Sequence, residues 1–234
     1  MNILFDNRSN PLKADYIKKC IAGFGESYNA TVWKIINNSR KGINKEIFFK
    51  NVATLMPNFK MTRAGPFKGV KYLVGRVKDP NGQIAACWEG IGNNTVKLRN
   101  FLDLHKKDRA RVLIEILRSA QNEVASELWE MFKKLVPLCM EKSTLGLVAS
   151  SKVLFAVLPE VALPVDNTQW RRVFKTIDYG DIIRLMAEEI TEWERRTGKR
   201  LDSCDPQPIT TLPAIYNVMA MKTKPQETKR SNPS

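Results

Sequence analysis

Histidine is almost missing from this sequence: His105 is the only one, set in the charged run Lys106-Lys107-Asp108-Arg109. A zinc site built from His and Cys needs several ligands at short spacing, so the chain offers no such site, and His105 reads as a solvated surface residue. Cysteine is also sparse. Cys20, Cys87, Cys139 and Cys204 lie too far apart for a Cys-x-x-Cys knuckle and are too few for a disulfide scaffold, which leaves free, mostly buried thiols. Long apolar runs are missing: Val153 to Leu158 is among the longest and is far too short to span a bilayer. Met1 to Asp6 has neither the basic start nor the apolar stretch of a signal peptide, so an intracellular, cytoplasmic protein is expected. No glycine-rich phosphate loop or dinucleotide fingerprint is present, and no paired-carboxylate strand motif that would hold magnesium for a nuclease.

Acids are outnumbered. The chain of 234 residues carries 38 Lys and Arg against 24 Asp and Glu, a net charge of +14 and a pI near 9.7. Residues 40 to 111 hold sixteen of the bases and only five of the acids, which puts eleven of the fourteen surplus charges there. Its densest part contains Lys60, Arg63, Lys68, Lys71, Arg76 and Lys78 without one acid. Neutralising the phosphates of a nucleic acid is the use that such a stretch fits best. A merely soluble lysine-rich surface is the plainer alternative. Binding to anionic membranes is a weaker one, because no basic amphipathic anchor stands out.

With 43% apolar residues the chain can bury a substantial core. Ile17, Ile21, Phe24, Tyr28, Val32 and Ile35 recur three or four apart, as one face of a helix from Leu12 to about Asn38 after the start signal Asn10-Pro11. A shorter helix is expected from Asn44 to Leu55, ended before Pro57. Val70–Val77 and Gln83–Trp88 flank Asp79-Pro80-Asn81-Gly82, which reads as a β-hairpin. From Thr95 the pattern is helical, with helices expected near 95–103, 106–121, 122–139, 146–158, 167–175, 180–197 and 212–221. Ser203 to Pro208 reads as a polar loop, and the apolar-poor end, 223–234, as a disordered tail. The fold class is therefore mainly α, with a small N-terminal β-hairpin. The expected division is a basic part, 1–94, and a helical part, 95–222, which can share one core.

The segment Ser150-Ser151-Lys152-Val153-Leu154-Phe155-Ala156-Val157 starts an apolar helix with a lysine. Pro164-Val165-Asp166 follows, then Asn167-Thr168-Gln169-Trp170-Arg171-Arg172-Val173-Phe174. Over roughly residues 125 to 180 this order resembles the core of the helix-hairpin-helix DNA glycosylases, in which Gly-Val-Gly-x-Lys begins one helix and Pro-Val-Asp begins the next. Here Val148-Ala149-Ser150 stands in place of Gly-Val-Gly, with Gly146 nearby. The resemblance implies Lys152 as nucleophile and Asp166 as catalytic carboxylate. It also implies excision of an extruded base without metal or organic cofactor, with DNA as the partner and no obligatory protein partner.

Such chemistry places positive charge on a sugar, which Asp166 could stabilise, or uses a neutral lysine amine to attack C1′. At its ordinary pKa Lys152 is almost wholly protonated near neutrality, so it needs burial or cationic neighbours such as Arg171 and Arg172. Each residue also has a plain structural role open to it. Asp166 is a good helix N-cap, and Lys152 a solvated helix end. Trp170, four residues from Phe174, fits core packing or a platform for a base, and Tyr216 and Asn217 fit helix packing or a pocket wall. The noncatalytic alternative is a nucleic-acid-binding module that keeps these helices for packing.

Overall fold

The computed structural model describes residues 2–39, 42–73, 75–104, 113–114, 121–140, 146–205 and 211–223. The chain is mainly helical with a small two-stranded antiparallel sheet, as its composition and periodicity predict. Of the expected helix over 106–121 only residues 113–114 and 121 are described, and these are helical; His105 and the chain from 224 onward lie outside the described residues.

Where one long helix is expected near the start, there are two: α1 (Ala14–Ala22) and α2 (Glu26–Ser39). They are separated at Gly23 to Gly25, where Gly25 has φ +123°, a conformation closed to most L-residues. The apolar face nevertheless runs across the break, with Ile17, Ile21, Tyr28, Val32 and Ile35 all buried. Helix α3 (Lys45–Leu55) starts at Asn44, whose side chain accepts from Ile47 N at 2.9 Å, and leads into a 3₁₀ turn, Met56–Phe59. The chain leaves that turn through Lys60 in the left-handed region, φ +59°.

The hairpin is real but sits earlier than its turn chemistry suggests. Strands β1 (Lys71–Leu73) and β2 (Arg76–Lys78) pair around Gly75, and Gln83–Trp88, expected as the second strand, opens helix α4 (Gln83–Leu104). The carboxylate of Asp79 explains the difference. It accepts the amides of Gln83, Ile84 and Ala85 at 3.0, 2.9 and 3.2 Å, so the Asp-Pro-Asn-Gly run starts a helix instead of joining two strands.

Helix α5 (Gln121–Leu138) packs against α4, α6 (Leu147–Val157) and α7 (Tyr179–Thr197), and α3 packs on α2, α4 and α6. Between α6 and α7 lies a π-helical segment, Gln169–Phe174, and α8 (Leu212–Lys222) closes on α1 and that segment. One hydrophobic cluster runs from Ile3 to Ala220, and α4 passes without interruption through the expected boundary at 94–95. All four cysteines are buried free thiols. Among the described residues no helix is long and apolar enough to cross a membrane.

Two polar devices tie the cluster together. The Arg99 guanidinium is 99% buried and lies 2.9 Å from Glu160 and 3.1 Å from Asp103. The buried Glu189 accepts from Ile3 N at 2.5 Å, Leu4 N at 2.7 Å and the Tyr216 hydroxyl at 2.7 Å, fixing the N-terminal bend to α7 and α8. Because these groups have partners in place, their burial does not carry the full desolvation cost of an unpaired charge.

Candidate functional site

Lys152 is not at a solvated helix end. Helix α6 begins at Leu147, after Gly146 in the left-handed region at φ +74°, so Lys152 is its sixth residue and only 5% exposed. Its Nζ lies 4.2 Å from the centroid of the Phe59 ring, a cation–π contact with a residue from the 3₁₀ turn after α3. Burial lowers its pKa from the ordinary 10.5 to about 8, the carboxylate of Asp166 opposing the shift. By ordinary titration about a tenth of such an amine is neutral at pH 7, against less than a thousandth for a solvated lysine.

Asp166 belongs to a strap, residues 163 to 166, that is fastened on both sides. From α6, the Ser151 hydroxyl accepts Val165 N at 3.0 Å and lies 3.1 Å from Val165 O. From α7, the Tyr179 hydroxyl accepts Leu163 N at 2.7 Å and donates to Leu163 O at 2.8 Å. Asp166 and Gln169 then cap the following helix reciprocally. Gln169 N donates to Asp166 Oδ1 at 2.9 Å and Asp166 N donates to Gln169 Oε1 at 2.7 Å, a capping box with Asp and Gln in the two roles. The N-cap expected of Asp166 is thus present together with its placement beside Lys152.

These residues line a cleft of about 220 Å³ with Asn58, Phe59, Lys60, Pro164, Asn217 and Met221. Four residues singled out from the sequence, Lys60, Lys152, Asp166 and Asn217, are brought together there from four separate parts of the chain. Asn217 is held in place, donating from Nδ2 to the Tyr28 hydroxyl at 3.1 Å and accepting from Gln169 Nε2 at 3.4 Å. Burial raises the Tyr28 hydroxyl well above its usual pKa, which keeps it neutral. Its ring stands edge-on to Phe59, centroids 6.1 Å apart, so the aromatic side of the cleft is backed by a second ring.

Two of the expected pocket residues are elsewhere. Trp170 is packed into an aromatic nest with Phe132, at 5.6 Å, and Tyr179, at 6.3 Å, and does not line the cleft. Tyr216 is fully buried with its hydroxyl donated to Glu189. Both serve the core, the plainer of the two roles open to them. Arg171 and Arg172 are exposed on the π-helical segment and line the cleft no more than Trp170 does. Lys60, Arg63, Lys68, Lys71, Arg76 and Lys78 are all exposed, which leaves the basic stretch available to a polyanion.

Sequence reasoning missed Phe59, Asn58, Gln169 and Met221. Only Gln169 carried a local signal, the Asp-x-x-Gln spacing of a capping box. Among the described residues no three His, Cys, Asp or Glu side chains gather as metal ligands. Comparison with family models, with curated proteins and with solved structures returns no match.

Proposed function

We propose that this protein is a DNA-binding, base-excision glycosylase-like enzyme that cleaves the N-glycosidic bond of an extruded, damaged or modified nucleotide. The observation that carries the reading is Lys152, a buried amine with pKa near 8 in a cleft that also holds Asp166. A lysine is seldom buried without a function or a paired acid, and among the described residues no carboxylate lies within 4 Å of this one. In this reading the neutral amine attacks C1′ as the base departs with the bonding electrons, while the Asp166 carboxylate stabilises the positive charge developing on the sugar. The Phe59 face and the amide of Asn217 offer stacking and hydrogen bonding to a flat heterocycle. At about 220 Å³ the cleft is below the ~300–1,000 Å³ of sites that enclose whole small molecules, and suits a single ring better than an entire nucleotide.

A second reading, a noncatalytic nucleic-acid-binding module, is favoured by one observation: Asp166 Oδ1 already accepts the Gln169 amide and so has a structural use. Mass spectrometry of bases released from genomic and phage DNAs separates the two without a guess about the substrate. Release of a base by the parent protein, lost in Asp166→Asn, supports the enzyme; DNA binding with no release from any source supports the module.

A further inference from the structure

The Phe59 ring beneath the Lys152 ammonium is fixed by its own turn and by α2. Phe59 ends the 3₁₀ turn Met56–Phe59, and Lys60, in the left-handed region, closes that turn by donating its N–H to Pro57 O at 2.9 Å. Asn58 pins the turn to α2. Its Nδ2 donates to Thr31 Oγ1 and lies 3.4 Å from Ser27 O, while its Oδ1 accepts from the Ser27 hydroxyl at 3.4 Å. Tyr28, beside Ser27 on the same helix, stands at 78° to the Phe59 ring and is itself edge-on to Phe24, centroids 5.0 Å apart. A ring packed in this way does not swing aside without disturbing its neighbours.

The face that carries the ammonium has room for one occupant. Stacked rings approach to the ~3.5–4.0 Å of carbon contact, and Nζ of Lys152 already fills that layer, 4.2 Å from the ring centre. Lys152 and Phe59 line the same cleft, so a planar heterocycle that enters over this face meets the ammonium before it meets the ring. Of the two, the lysine is the one that can move, because its charge sits on a flexible four-carbon stem. Two other charged groups line the cleft: Asp166 attracts a displaced ammonium and Lys60 repels it, which sets the direction of the movement.

We propose that Phe59 is a positioning residue that seats the Lys152 ammonium in the empty cleft and yields the same face to an incoming heterocycle, which displaces the amine towards Asp166. The inference rests on the glycosylase-like reading for the identity of the heterocycle, an extruded base. It adds a coupling to that reading. The amine is parked on the ring while the cleft is empty and leaves it when a base takes its place, so the base to be removed itself delivers the nucleophile to its sugar.

Two measurements on the full chain test the seat and the displacement. In the first, Phe59 is replaced by phenylalanines bearing one, two and three ring fluorines, which keep the shape of the ring and draw charge from its face. The pH midpoint at which an amine-directed reagent labels Lys152 should fall stepwise, by roughly half a unit to one unit in all, while the melting temperature holds. A contact of packing alone leaves the midpoint flat across the series. The second follows the Lys152 Cε protons by NMR, which a ring beneath them shifts upfield. Their signal is assigned by its loss in Lys152→Gln and should return to the ordinary lysine position in Phe59→Leu. Free uracil, thymine, cytosine and adenine are then titrated to millimolar concentration, with entry into the cleft read at the Asn217 side-chain amide. A base that shifts Asn217 should move the Lys152 signal to the ordinary position as well. A flat fluorine series, or a base that shifts Asn217 and leaves the Lys152 signal upfield, overturns the shared seat and leaves the glycosylase-like reading standing. No base reaching Asn217 overturns the displacement and the base cleft of that reading together.

Discussion

The ammonium of Lys152 lies 4.2 Å from the centre of the Phe59 ring, although 92 residues separate the two in the chain. A ring face is a poor substitute for water around a full positive charge, and the amine is held near pKa 8 as a result. A lysine kept there at a cost in stability is the pattern expected of a residue with a use beyond packing.

The cost can be measured. The folded pKa of about 8 lies below the unfolded 10.5, so the folded chain binds fewer protons than the unfolded one between these values, and the lysine's penalty is complete below pH 8. Lys152→Met is therefore expected to stabilise the protein at pH 7 by up to about 3 kcal/mol. The gain should shrink as pH rises through 8 and vanish near 10.5. Urea denaturation of both proteins at pH 7 and pH 10 checks this; a variant less stable than the parent at pH 7 would mean that the ammonium has a partner which outweighs its burial.

Asp166 raises the pKa of Lys152 against the effect of burial. Asp166→Asn keeps the size and much of the capping ability at Gln169 but removes the charge, so the Lys152 midpoint should fall further below 8 while the fold persists. The rate at which an amine-directed reagent labels Lys152, followed by mass spectrometry across pH, reads that midpoint. On a substrate that the parent processes, the same variant should lose base release by orders of magnitude. An unchanged midpoint would place the carboxylate too far away to act on the amine.

The basic stretch gives a prediction independent of catalysis. Lys68, Lys71 and Arg76 are exposed, and their joint replacement by glutamine removes three possible phosphate contacts. DNA affinity should weaken for all sequences alike, and the salt slope should fall by about 2.7 if all three touch phosphate. Should the triple variant keep the parent's slope, the segment is not in the interface.

What could be read from the sequence, and what could not, follows the range of the forces involved. Periodicity and end signals located α6, α7 and α8 within a residue or two, because Asp178, Gly198 and Thr211 are local caps and stops. The hairpin was displaced because Asp79-Pro80-Asn81-Gly82 is equally good chemistry for a turn and for the start of α4, and a short apolar run such as Ile84–Trp88 fits strand or helix. The juxtaposition of Lys152 and Asp166 came from the resemblance. The burial of Lys152 did not, since it depends on Phe59 arriving from another element and on Gly146 setting the helix start five residues earlier than the lysine.

The start of α6 depends on a glycine that the packing leaves no room to replace. Gly146 has φ +74°, and a Cβ there would meet Val136 O at 2.4 Å, Cys139 C at 3.0 Å and Met140 N at 3.1 Å. All three are backbone atoms, so no side chain can turn aside to make room. Gly198, at φ +66°, has the same kind of conformation and nothing within 4 Å of such a Cβ. Gly198→Ala should therefore cost only the backbone strain, about 1 kcal/mol. Gly146→Ala must also push α5 and α6 apart and should cost about 2–4 kcal/mol. The displacement would be felt one and a half turns on, at Lys152, so Gly146→Ala should also shift the labelling midpoint of that amine while Gly198→Ala leaves it in place. Equal losses of melting temperature in the two variants, with the Lys152 midpoint unmoved in both, would show that the α5–α6 junction yields to a methyl group and does not set the position of the lysine.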